Sequence, residues 1–564
     1  MINLRSIIRR ADKDGDPLTN IRTITKWLSE LPLGDVLASH QKVVEELARL
    51  NEKDESLGKD RLDVLKQVDL KAREFQAILA GQYLRNSRMS AAMENTLWKV
   101  LHLFHWEIAR GYHAFIMDYV TNPAGSKVRT NMPLLIARAM HHFGGIFKWR
   151  YIRFERVEEK LWQRLHNLYR IAAFEGFERK RVALYREAER DTSCADEYIR
   201  ILLLGTISAG GLSPRQMELA DAWLRNFSHL VHLETNYDPG KHVFSVVQGS
   251  GQGARRVRVQ SATENTLFFN TTEMSAALAQ AKIGLQDGEP PGRLGLTEDC
   301  RVAECLELLD IVMRQWAPLA DREQRVAPRH PTQEITQVAY GVAEICARLR
   351  AGRAQDEPES DEGVGFDEII DLKLYGFVTN RTRSRTKSET VKPAEMIAET
   401  ASTWLVENES DTGCGAIAEA ANADALILGK LVAVHKPDAT QWQVGIVRRL
   451  HRISDKQRFV GVEFFPGTPE VLTLRTSTDA PAISGYFVDS GDRTMVHALM
   501  LAGDGEDPDS LIIEATHYSS GREFFLTTAR EPRRIVLRDS LLKGDNWVQA
   551  HFVRPAPNPD DGAS

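Results

Sequence analysis

Two arginines four residues apart, Arg381 and Arg385, are the side chains in this 564-residue chain best suited to gripping a phosphate. Each guanidinium is a planar fork of donors that meets two phosphate oxygens at once, and the same fork fits the O6/N7 edge of guanine. Arg383 and Lys387 make the stretch locally basic. Further along come Asn408, Ser410 and Gly413. Asn408 offers a donor and acceptors, and Ser410 offers a hydroxyl. Gly413 has no Cβ, so a flat ring can approach its backbone. Together these are the parts of a site for a guanine-bearing anion.

Such a site needs a rigid surface behind it. Ser402–Val406 (STWLV) has the β-branched and aromatic content of a strand, and the Asn, Ser, Asp and Gly that follow mark a tight turn. Three more strand-like runs come next: 425–434 (ALILGKLVAV), 442–449 (WQVGIVRR) and 459–464 (FVGVEF). RxxxR followed by NxSxxG and strands of this kind resembles the PilZ domain family, over about residues 367–470. The resemblance implies a β-barrel that binds the second messenger cyclic di-GMP, with Arg381, Arg385, Asn408, Ser410 and Gly413 as ligand-binding residues. It further implies a role in bacterial signal transduction. Asn408 stands where Asp is the commoner residue of that motif, and Val391–Thr400 is less plainly a strand than the family's usual first one.

The rest of the chain frames this stretch. At 564 residues it exceeds one ordinary core, so several domains are expected. A net charge of −6 argues against a dedicated nucleic-acid binder. Five scattered cysteines suit a reducing cytoplasm without a disulfide framework, and Cys300 and Cys305 read as helix packing. Leu97–Val120 is the most apolar long run, but six polar or charged residues interrupt it, so no membrane span is expected.

Residues 1–232 read as an all-helical domain. Asn20 precedes a run with Ile21, Ile24, Trp27, Leu28 and Leu31 on one face, and Ser213-Pro214-Arg215-Gln216 spells a capping box. Leu97–Val120 reads as the buried central helix. Residues 233–352 read as a small α+β module, with strands at 242–247 and 266–269 and helices at Met274–Ile283, Glu298–Trp316 and Glu334–Arg350. An acidic linker (353–366) leads into the PilZ-like barrel. Residues 471–557 carry short strands that form a β-rich extension or a second barrel, and 558–564 form a tail. The fold class is therefore multidomain, with a helical N-terminal half and an all-β C-terminal half.

Other chemistry is weaker. His102, His105, His113 and the His141-His142 pair show no metal-ligand spacing, so no metal is expected. Gly249–Gly253 leads into a strand and not into the helix that phosphate-binding glycines need. Asp411-Thr412-Gly413 lacks the apolar strand of an aspartic protease. The expectation is a non-enzymatic cyclic di-GMP receptor without cofactor, whose helical half carries a protein partner. The alternative is an adaptor whose barrel has lost its ligand.

Overall fold

The computed structural model describes residues 16–555 except 33, 54–56, 87–88, 125, 127, 186–189, 209, 258–264, 318–327, 357–401, 420–425, 438, 440, 455, 477–494, 504–507 and 527–532. It divides into two compact units, Met1–Gln324 and Arg325–Ser564.

The first unit opens with eight helices: α1 (Ile21–Glu30), α2 (Val36–Glu52), α3 (Lys59–Arg85), α4 (Ala91–Thr121), α5 (Met132–Ile152), α6 (Glu159–Phe174), α7 (Cys194–Ile207) and α8 (Pro214–Phe227). The caps read from sequence are in place. The Asn20 side chain accepts from the backbone N–H groups of Arg22 and Thr23, and Ser213 and Gln216 form the reciprocal capping box. α4 packs against α2, α3 and α5, but α5 is the more enclosed helix, buried on nearly every face. A three-stranded sheet follows, from β1 (Phe244–Val247), β2 (Arg255–Arg256) and β3 (Thr266–Phe269), with β1 in the middle. Then come α9 (Thr272–Gln286) and α10 (Val302–Trp316). These later elements share one hydrophobic core with the bundle, so the helical domain and the small module are a single packed body.

Cys300 and Cys305 form a disulfide, where two thiols on a helix were expected. Cys300 precedes α10 and does not lie on it, so the chain folds back to bring the sulfurs together. Among the described residues no helix is long and apolar enough to cross a membrane.

Burial in this unit has a cost in acid. Burial pushes the imidazoles of His40 and His102 down to about 3 from 6.5, and burial likewise brings His141 to about 4 despite Glu197 beside it. Their neutral forms are favoured in the folded state, while the unfolded chain takes up protons near 6.5. Stability contributed by these rings is therefore lost as the pH falls from about 6.5 towards 3. Neither ring nitrogen of His40 has a hydrogen-bond partner among the described residues, and the ring packs beside Phe75 and Phe104. His40→Leu is expected to stabilise the unit by about 1–2 kcal/mol at neutral pH and by more at pH 5, as read from denaturation midpoints. A destabilised variant would mean that the imidazole is hydrated.

The second unit is two closed six-stranded antiparallel barrels. Its first elements differ from the sequence expectation. Residues 334–340, expected as helix, belong to strand β4 (His330–Tyr340), and the helix α11 (Gly341–Asp356) starts only after it. Ile335, Thr336, Val338 and Tyr340 favour a pleated surface, and Gly341 at φ 73° makes the break between the two. The first barrel runs β4, β5 (Ser402–Ser410), β6 (Gly413–Glu419), β9 (Gln457–Phe464), β8 (Gln443–Arg452) and β7 (Leu431–His435), closing on β4. It thus recruits a strand from upstream of the acidic stretch. The second barrel closes in the order β10 (Glu470–Thr476), β11 (Met495–Leu501), β12 (Ser510–Glu514), β15 (Trp547–Val553), β14 (Arg533–Lys543) and β13 (Glu523–Leu526).

α11 is wedged between the barrels. Val342, Ile345, Cys346 and Leu349 share a cluster with Leu431, Trp442 and Ile446 of the first barrel and with Leu499, Ile512 and Trp547 of the second. A fragment starting at Arg325 is therefore expected to fold. One starting at Gly363 would lack β4 and α11, open the barrel between β5 and β7, and uncover this cluster. Dispersed amide resonances from the shorter fragment would contradict this assignment.

Candidate functional site

The site is assembled at the end of the β5–β6 hairpin. Along β5, Trp404 and Val406 are buried and Thr403 and Leu405 face out. A register shift between Val406 and Asn408 resets the alternation. Beyond it Asn408 lies opposite Gly415 and Ser410 opposite Gly413, on the outer face, with Cys414 buried between them. Burial pushes the Cys414 thiol up to about 12, so it is a packing residue and not a nucleophile. Asp411 and Thr412 form the two-residue turn, and the Ser410 hydroxyl donates to the Gly413 carbonyl at 3.2 Å, closing it.

Gly413 is demanded by the barrel itself. A Cβ there would run into the backbone carbonyl of Val462 on the neighbouring β9. Gly415 and Gly461 matter differently. They pair directly, and the row continues to Arg449 on β8: Asn408, Gly415, Gly461, Arg449. A Cβ on Gly415 would lie 2.8 Å from the Phe459 ring and 2.9 Å from the Asn408 amide, and one on Gly461 would lie 3.1 Å from Cβ of Arg449. The two glycines therefore let a carboxamide, a phenyl ring and the stem of an arginine lie close to the sheet. Asn408 Oδ1 accepts from Arg329 Nη1 at 2.8 Å, just ahead of β4. Arg448 pairs with Glu463 at 2.6 Å, and Lys436 pairs with Glu409.

Such a face presents amide, guanidinium and aromatic groups to solvent on a rigid sheet. It can stack a planar ring and hydrogen-bond its edge. An apolar pair, Ile335 at 67% exposure against Leu405 at 38%, adjoins it on β4 and β5.

Of the residues expected from sequence, Asn408, Ser410 and Gly413 are brought together here. Arg381 and Arg385 lie outside the described residues. Gly415, Gly461, Phe459, Arg449 and Arg329 were not anticipated. The GxG spacing of Gly413 and Gly415 and the Phe-Val-Gly run of β9 were the available signals for the first three.

Residues 22–239 match the family model described as the cyclic-di-GMP receptor FimW, N-terminal domain. That match covers the helical bundle from α1 through α8 and stops before β1. No curated protein matches the chain. Arg381, Arg385, Asn408, Ser410 and Gly413 all lie downstream of the match.

Proposed function

We propose that this chain is a cyclic di-GMP receptor that binds its ligand on the outer face of the first barrel. The observation that carries the reading is convergence. A FimW-like helical domain and an RxxxR…NxSxxG motif are different parts of one chain, and each separately suggests the same ligand. In this reading Arg381 and Arg385 grip the phosphates and the O6/N7 edge of guanine, while Asn408 and Ser410 hold a base from the sheet side. Gly413 keeps the hairpin tight against β9. The protein acts by binding and not by catalysis, and its helical half meets a protein partner. Because a ligand shifts a conformational equilibrium only by its differential affinity, signalling requires two states of the protein that differ in affinity for cyclic di-GMP.

Calorimetric titration of the full chain tests this. Cyclic di-GMP is expected to bind. Cyclic di-AMP is expected to bind at least about 10-fold more weakly, because adenine turns an N6 donor towards the arginines where guanine offers O6. Equal affinities would reduce the site to a phosphate patch, and no binding of either would favour the adaptor reading.

A further inference from the structure

The helical unit contains a cleft of about 520 Å³ that the barrel reading does not use. Its walls come from α3, α4, α5, α7 and α8 and from residues 181–192 between α6 and α7, and they mix polar and charged side chains with apolar ones. Behind the cleft, Asp69 is fully buried. It accepts from Tyr112 at 2.7 Å and from Tyr185 at 2.9 Å, and it faces His142 Nε2 at 3.0 Å. A carboxylate only accepts, so Nε2 of His142 carries the proton. Nδ1 of His142 and Nδ1 of His105 share a hydrogen bond at 3.0 Å, and His105 lines the cleft. Gly145 makes room for this ring, since a Cβ there would collide with it. A buried relay of this kind costs desolvation that an apolar core would avoid.

The charges point the same way. Five lining side chains are basic (Arg73, Lys148, Arg181, Arg190, Arg225) and four are acidic (Asp191, Asp196, Glu197, Glu218). Lys148 is matched by Glu218, Arg181 by Asp196, and Arg225 by Asp221 beneath the surface, while Glu197 is matched by Arg200 and Asp191 has no cation partner among the described residues. Arg73 and Arg190 have no carboxylate partner among the described residues. Arg73 lies over the Tyr185 ring at 3.9 Å, and Arg190 reaches the Asn226 carbonyl at 3.0 Å and His229 at 3.2 Å.

We infer that this cleft is a second, separate ligand site, for a phosphate ester of mononucleotide size. Arg73 and Arg190 supply the forks for the phosphate, and the His105 imidazole hydrogen-bonds the sugar or base. Cavities of this volume hold ligands of that size.

The test uses the full chain with guanosine 5′-monophosphate as probe and guanosine as its phosphate-free counterpart. The monophosphate is expected to bind one per chain in calorimetry, and guanosine about 10-fold more weakly or not at all. Arg73→Gln and Arg190→Gln should each weaken the monophosphate about 10-fold. Both positions are exposed, so the melting temperature of the unliganded chain should hold. The monophosphate should bind as tightly in the presence of saturating cyclic di-GMP, which separates this site from the barrel. No binding at millimolar probe, equal binding of guanosine, or an affinity indifferent to both arginines would overturn the inference.

Discussion

A chain carrying both Arg381→Ala and Arg385→Ala is expected to bind cyclic di-GMP about 1,000-fold more weakly than the parent. Each guanidinium makes charge-assisted hydrogen bonds worth about 1.5–3 kcal/mol, so either change alone should cost about 10- to 100-fold. Arg383 is the control. It shares the local charge of RTRSRTK but stands outside the motif, so Arg383→Ala should lose only a small term that salt removes. Ser410→Ala should cost about 1 kcal/mol or less, because the hydroxyl is neutral and already occupied with the Gly413 carbonyl. Should all three arginines prove equivalent, with their losses vanishing at high salt, the motif reading fails and only diffuse attraction remains.

Arg200→Ala is expected to cost the helical unit about 3–5 kcal/mol, because it takes away the buried cation that two buried carboxylates share. Arg200 bonds Glu197 at 2.9 Å and pairs with Asp221, and all three side chains are almost wholly enclosed. Burial alone would raise the Glu197 carboxyl, but Arg200 and His141 beside it hold it at about 2. Burial would likewise raise Asp221, and Arg200, Arg225 and Lys148 outweigh it and keep that carboxyl well below the usual range. The stabilisation from these depressed carboxylates is present above about 4.5 and is lost as the pH falls towards 2. The gap between parent and variant in urea denaturation should therefore be widest near neutral pH and close in acid. A loss under about 1 kcal/mol would mean that water reaches the two carboxylates.

What the sequence made legible was local. Asn20 and Ser213 announce helix starts because the capping side chain and its N–H partners are neighbours in the chain. The β5–β6 hairpin was readable because Ser-Asp-Thr-Gly directly follows a strand pattern. β4 was not, since its apolar residues from Ile335 to Tyr340 fit a helical face as well as a pleat, and pairing with β5 and β7 decides between them. The register shift that turns Asn408 outward leaves no mark in composition. The Asp69–His142–His105 relay draws on three helices, 36 to 73 residues apart, so no motif could have announced it.

The wedge of α11 has a thermodynamic consequence. Because one apolar cluster belongs to both barrels, and Trp547 of the second donates to the Gly429 carbonyl beside the first at 2.9 Å, neither barrel can melt without exposing the other's surface. They form one cooperative folding unit. A ligand seated on the first barrel therefore protects the second by mass action, by about 2.7 kcal/mol when its free concentration is 100 times its dissociation constant. Hydrogen exchange in β11, β12 and β15, far along the chain from any contacting residue, becomes a gauge of occupancy on the Asn408 face.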